Sequence, residues 1–236
     1  MASPGQARLR EHYESELPAL FQALRARGKV YSAPHLLNLD AHEGRYWRCG
    51  HRLMVVGQET RGWLDGDALT SFWSGRGPNV DALMKQYEDF ECGRAFYNAP
   101  FRAACEVLSR AVNPSGPEWG FTWTNLFKVD EDLGRPSAET QEMLNKHFDV
   151  LTSEIEAADP EVVVFFTGAP LDWRIDQALG APAVHTEIQG HPARVLSRLS
   201  SPKLPIAAYR TYHPNYLRRS GQWGVLDAII RDLATV

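Results

Sequence analysis

Cysteine is scarce in this sequence. Its 236 residues hold three, Cys49, Cys92 and Cys105, far apart and with no CxxC pair. So odd and sparse a set argues against a disulfide framework and offers no iron–sulfur or zinc pattern. A reducing cytosol, and hence a cytoplasmic protein, is the plain expectation. Long apolar runs are also missing, so no membrane-spanning helix is expected. The opening stretch "MASPGQARLREHYESELPALF" sets charges among its apolar positions and does not read as a signal peptide. There is no GxxxxGK[ST] loop, no GxGxxG after the first apolar run and no GxSxG, which argues against P-loop, dinucleotide-binding and serine-hydrolase chemistry. His185 and His191 are six apart with Glu187 between them, which is not a metal-ligand set. No metal and no cofactor is expected.

Acid is missing from one long stretch. Ile188 to Trp223 contains Arg194, Arg198, Lys203, Arg210, Arg218 and Arg219 and no Asp or Glu. That leaves 19 of the 25 basic residues beside all 29 acidic ones in the rest of the chain. The net charge of −4 does not suggest a nucleic-acid binder, but a chain this polarised can turn one positive face to an anion. A solvated surface with no such role is the alternative.

Four apolar runs read as buried strands: "RLMVVGQ" (52–58), "FTWTNLFKV" (121–129), "PEVVVFFTG" (160–168) and "LPIAAYRTY" (204–212). Continuous runs of this length suit parallel strands covered on both faces. Residues 6–27 place Leu9, Tyr13, Leu17, Leu20, Phe21 and Leu24 at helical spacing. Further helical patterns are "DALMKQYEDF", "PFRAACEVLSRAV", "SAETQEMLNKHFDVLTSEIEAA" with Ser137 as N-cap, "APLDWRIDQAL" and "GQWGVLDAIIRDLA". "VHTEIQGHPARVLSRLS" suits a short hairpin beside the last strand. Strand–helix alternation predicts an α/β fold: a three-layer α/β/α sandwich on a central, mainly parallel four-stranded sheet. One domain is expected over 1–236, with residues 1–45 as an N-terminal helical extension.

In such folds ligands bind outside the carboxyl ends of the strands. Three polar groupings fall there. In "VVGQETRGW", Gly57 permits a tight turn and Gln58 and Glu59 follow; a carboxylate there can activate or orient a water, or simply end a strand. In "TWTNLFKVD", Asn125 offers one acceptor and two donors, enough to read an amide-like base edge, or to make an Asx turn. In "TYHPNYLRR", Pro214 restrains His213, which can donate to a developing oxyanion; Asn215, Arg218 and Arg219 can meet phosphates. A structural His-Pro turn is the alternative there. Phe72, in the long first loop, can stack a base or join the core.

In order and spacing these motifs resemble the uracil-DNA glycosylase superfamily. Gly57-Gln58-Glu59 resembles the Gly-Gln-Asp-Pro-Tyr-His motif of the classical enzymes. "TNLFKVD" and "TYHPNYLRR" resemble the Thr-Asn-hydrophobic-hydrophobic-Lys and Tyr-His-Pro-x-x-Leu-x-Arg segments of the thermophilic-type branch. "IEAADPEVVVFFTG" is similar to the strand before the family's short Gly turn, and the resemblance spans roughly residues 50–232. It implies a monofunctional glycosylase that flips a base out of DNA and releases it. Glu59 takes the place of the acid that serves water or a cationic sugar, Asn125 that of the base reader, and His213 that of the donor to the base. Phe72 takes the place of the stacking ring, with Gly57 and Gln58 lining the base site. Asn215, Arg218 and Arg219 fall at the flanking phosphates. The implied partners are DNA and the free nucleobase, the implied state a monomer. Where the classical motif continues Asp-Pro-Tyr-His, this chain has Glu59-Thr60-Arg61-Gly62, so the thymine-excluding Tyr is an Arg. The four cluster cysteines of the thermophilic-type branch are absent, which implies no iron–sulfur centre. These departures motivate a second possibility: a glycosylase-fold module that binds a nucleobase, nucleotide or DNA without cleavage.

Overall fold

A computed structural model of the chain describes residues 2–60, 63, 73–74, 77–91 and 99–235. The chain enters on α1 (Pro4–Arg25), whose cap Ser3 accepts from the Gln6 N–H through its hydroxyl. The six α1 residues expected at helical spacing are all buried. There follow β1 (Leu53–Glu59), the two-residue strands β2 (Trp73–Ser74) and β3 (Gly77–Pro78), α2 (Val80–Glu91), α3 (Ala99–Val112) and β4 (Phe121–Phe127). Next come α4 (Ala138–His147), α5 (Leu151–Ala158), β5 (Val162–Phe165) and α6 (Asp172–Leu179). The hairpin β6 (Val184–Glu187) and β7 (Leu196–Ser200) precedes β8 (Ala207–Thr211), α7 (Pro214–Arg219) and α8 (Val225–Leu233).

The main sheet runs β4-β1-β5-β8-β7-β6, so it has six strands rather than four. The four expected apolar runs are its parallel part, β4-β1-β5-β8. The hairpin adds β7 and β6, antiparallel, at the β8 edge. β6 is largely exposed, so it lacks the continuous apolar pattern that marks a buried strand. The opposite edge, β4, continues into a backbone stretch covered by the segment after α1. Ser32 N–H donates to the Asp130 carbonyl and His35 N–H to that of Lys128. Such cover removes an open edge. Helix α1 packs with α4 and α5, while α3 packs with α7 and α8. Buried residues from Leu9 to Ile229 form one hydrophobic cluster.

The helix expected over 137–158 is two helices. Phe148 leaves the helical region at φ −154° and ψ 51°. Phe148 and Val150 are buried at the break, and Asp149 pairs with Arg174 at 2.7 Å. Ser137 occupies the N-cap position without bonding the helix backbone. Its hydroxyl donates instead to Glu131 Oε2 at 2.7 Å.

Between α1, α5 and β4 lies a buried polar knot. Lys128 Nζ meets Glu154 Oε2 at 2.5 Å, with the two side chains 2% and 0% exposed. Thr124 Oγ1 donates to the same oxygen at 2.8 Å, and Tyr13 OH donates to Glu154 Oε1 at 2.5 Å. Burial lowers the Lys128 pKa. Thr124 and Lys128, both from "TNLFK", therefore anchor β4 from one face. Asn125 lies on the other, because strand side chains alternate.

Candidate functional site

Four parallel strands put four carboxyl ends on one side of the sheet. β1 and β4 are in register, with Gly57 opposite Asn125 and Glu59 opposite Phe127. Gly57 is glycine for a reason of space. A Cβ there would lie 2.2 Å from Asn125 Oδ1 and 3.3 Å from Trp123 Nε1. Gly57→Ala must therefore push Asn125 out of position. It is expected to cost about 1–3 kcal/mol as an overpacking change. An unchanged melting temperature would contradict this contact.

Asn125 is 1% exposed, and its Nδ2 has no hydrogen-bond partner among the described residues. At the end of β5, Thr167 is also 1% exposed, and its Oγ1 is likewise unpartnered. Buried polar atoms usually find partners, so these two orphans, at the ends of the strands on either side of β1, are groups that a ligand or a water can satisfy. The strand ends are tied together. Gln58 Nε2 donates to the Thr167 carbonyl at 2.7 Å, and Gly168 N–H donates to that of Thr211 at 2.9 Å. Gly168 has φ +74°, and a Cβ on it would strike the Tyr212 ring at 2.8 Å.

His213 caps α7. Its Nδ1 accepts from Asn215 N–H at 3.2 Å, so a neutral ring carries its proton on Nε2. Burial, aided by Arg219, pushes its pKa down to about 4. The ring is therefore a neutral Nε2–H donor at physiological pH. Phe101 of α3 stacks on it with centroids 5.6 Å apart. The same Phe101 meets Trp123 at 5.7 Å and Phe166 at 5.8 Å. Through Phe101, His213 is thus joined to the wall beside Gly57 and Asn125.

Glu59 does not stand alone. Arg135 Nε donates to Glu59 Oε2 at 3.0 Å, and Arg135 Nη2 donates to Gln58 Oε1 at 2.7 Å. One guanidinium fork holds both polar side chains of the first motif. Sequence reading missed Arg135, which lies in the loop after β4 with no motif to mark it. It also missed Trp63 and Trp123. Their signal was position: Trp63 closes "GQETRGW", and Trp123 shares a strand face with Asn125. Phe72 lies outside the described residues.

Arg218 and Arg219 are exposed at the end of α7, with no ion pair among the described residues. The rest of the basic stretch is mostly tied up. Arg210 is 2% exposed and meets Asp172 at 2.8 Å; Arg198 pairs with Asp232 at 2.5 Å and Lys203 with Glu156 at 2.7 Å. Arg194 donates to Tyr212 OH. Of the six, Arg194, Arg218 and Arg219 keep their charge without a carboxylate partner among the described residues, so the positive face is smaller than the basic run suggests. Among the described residues no three His, Cys, Asp or Glu side chains gather as a metal site would need. Nor is any helix among them long and apolar enough to cross a membrane.

No protein-family model matches the chain, and no curated protein matches it.

Proposed function

We propose that this chain is a monofunctional DNA glycosylase of uracil-DNA glycosylase type, acting on uracil or another deaminated base. The orphaned amide of Asn125, packed against Gly57 at the carboxyl end of β4, carries the reading. A flipped base pairs with Asn125 Nδ2 and Thr167 Oγ1, both without a partner among the described residues. His213 Nε2–H donates to a base carbonyl as the C1′–N bond breaks and its electrons move into the base. Glu59 steadies the cationic sugar or orients the water. The water oxygen bonds to C1′, and its proton leaves with the base, giving free base and an abasic site. Asn215, Arg218 and Arg219 grip flanking phosphates.

In this reading residues 1–236 form one glycosylase-like domain, with 1–45 as a helical extension, and the two helix groups enclose the sheet as a three-layer sandwich. The protein acts as a cytoplasmic monomer on DNA, with no membrane and no cofactor. The test is incubation with labelled oligonucleotides carrying uracil, hypoxanthine or xanthine, followed by alkaline cleavage. Strand scission at one of these bases supports the reading; three intact strands at high protein concentration sink it.

One observation favours a second reading, a module that binds a nucleobase, nucleotide or DNA without cleavage. Arg135 occupies the carboxylate that hydrolysis would use. Arg135→Ala separates the two. Arg135 is 44% exposed although Glu59 is only 16%, so the loss of stability should stay at about 1 kcal/mol. If Arg135 positions Gln58 and Glu59 for chemistry, base release falls about tenfold or more, since small misplacements are costly. In a binding module the variant leaves DNA intact and alters affinity alone.

A further inference from the structure

We infer that His35 is a ligand-contacting, specificity-determining residue of this site, which rests on the nucleobase reading above. His35 comes from the segment after α1, far in sequence from every motif. It is 0% exposed, and among the described residues neither ring nitrogen makes a hydrogen bond to another residue, its own backbone being the only polar group the ring approaches. A phenylalanine of similar size would fill a purely structural position without leaving two buried polar atoms unsatisfied. An imidazole kept there needs a partner that comes and goes.

Its surroundings point to the base site. His35 lies 4.5 Å from the Trp123 ring, 4.8 Å from Trp63 and 5.5 Å from Tyr87, centroid to centroid. Trp63 ends the first motif, and Trp123 lies two residues before Asn125 and beside Gly57. The Ser32 hydroxyl, three residues before His35, meets the hydroxyl of Thr60 in the first motif at 3.1 Å. The segment is thus fastened to the site by its own bonds. Burial, reinforced by the charge of Lys128, holds the His35 pKa well below its usual value. The neutral ring presents one N–H donor and one acceptor. It would read a ring nitrogen or carbonyl of the base from inside an aromatic box, on an edge that Asn125 does not cover.

The test compares wild type with His35→Phe and His35→Gln. Free uracil, hypoxanthine and xanthine are titrated against intrinsic tryptophan fluorescence, to which Trp63 and Trp123 contribute among the chain's seven tryptophans. Melting temperatures and base release from the three oligonucleotides are measured alongside. His35→Phe should melt at or above the wild-type temperature, lose at least tenfold in affinity for the preferred base and change the ranking among bases. His35→Gln, which keeps a donor and an acceptor, should recover part of that loss. If both variants keep the wild-type affinities and ranking, or lose affinity equally for all three bases, His35 does not read the base, while release by wild type would leave the glycosylase reading standing. If wild type neither binds nor releases any of the three bases, the nucleobase reading fails and His35 falls with it.

Discussion

His213→Ala is expected to lower the rate of base release by about 10²–10³-fold, the usual cost of removing one preorganised donor to a developing anion. Asn125→Ala should lose a comparable factor, because its amide binds only when the base is in place. Single-turnover kinetics on the preferred oligonucleotide measure both. The loss should appear in the chemical step, since His213 acts on charge that develops only as the bond breaks. A loss confined to DNA affinity would reassign His213 to a structural turn. His213 also carries a stability signature. Its folded pKa of about 4 lies below the ordinary value of 6.5, so the unfolded chain binds the proton more readily. The resulting stability is complete above pH 6.5 and is lost as pH falls from there toward 4. Protonation at Nδ1 also replaces the acceptor that caps Asn215 N–H. Thermal melts across that window should decline less steeply for His213→Asn than for wild type; parallel curves would contradict the account.

Lys128→Met is expected to be the most damaging single change to the fold. Its partner Glu154 is 0% exposed, and removing the cation leaves a buried carboxylate uncompensated, a loss of about 3–5 kcal/mol. For a chain of this size each kcal/mol moves the melting temperature by about 2–4 °C. The double variant Lys128→Met, Glu154→Gln should recover much of the deficit, because it removes both charges together. A melting temperature within two or three degrees of wild type for Lys128→Met alone would show that the knot is hydrated.

The parallel sheet was legible because its strands are buried on both faces and read as unbroken apolar runs. β6 was less so: an exposed edge strand carries no such pattern, and only the hairpin spacing hinted at it. The break between α4 and α5 left no local mark, since "KHFDVL" contains neither Gly nor Pro. It arises from the burial of Phe148 and Val150 and from the pairing of Asp149 with Arg174. The same division holds at the site. Gly57, Asn125 and His213 lie at strand ends, where topology alone directs attention. Arg135 and His35 come from irregular segments, and their meaning lies in what they face across the fold. Charge misled for a related reason. A sequence shows that Arg198, Lys203 and Arg210 are basic, but not that Asp232, Glu156 and Asp172 lie against them.

The most direct measurement of the central claim is chromatographic analysis of the products formed from deaminated-base oligonucleotides. The glycosylase account predicts free base and abasic sites in equal amounts with wild type, and a drop of at least a hundredfold in their rate of formation with His213→Ala. Tight binding to the same oligonucleotides with every base still attached would contradict it and leave a binding module in its place.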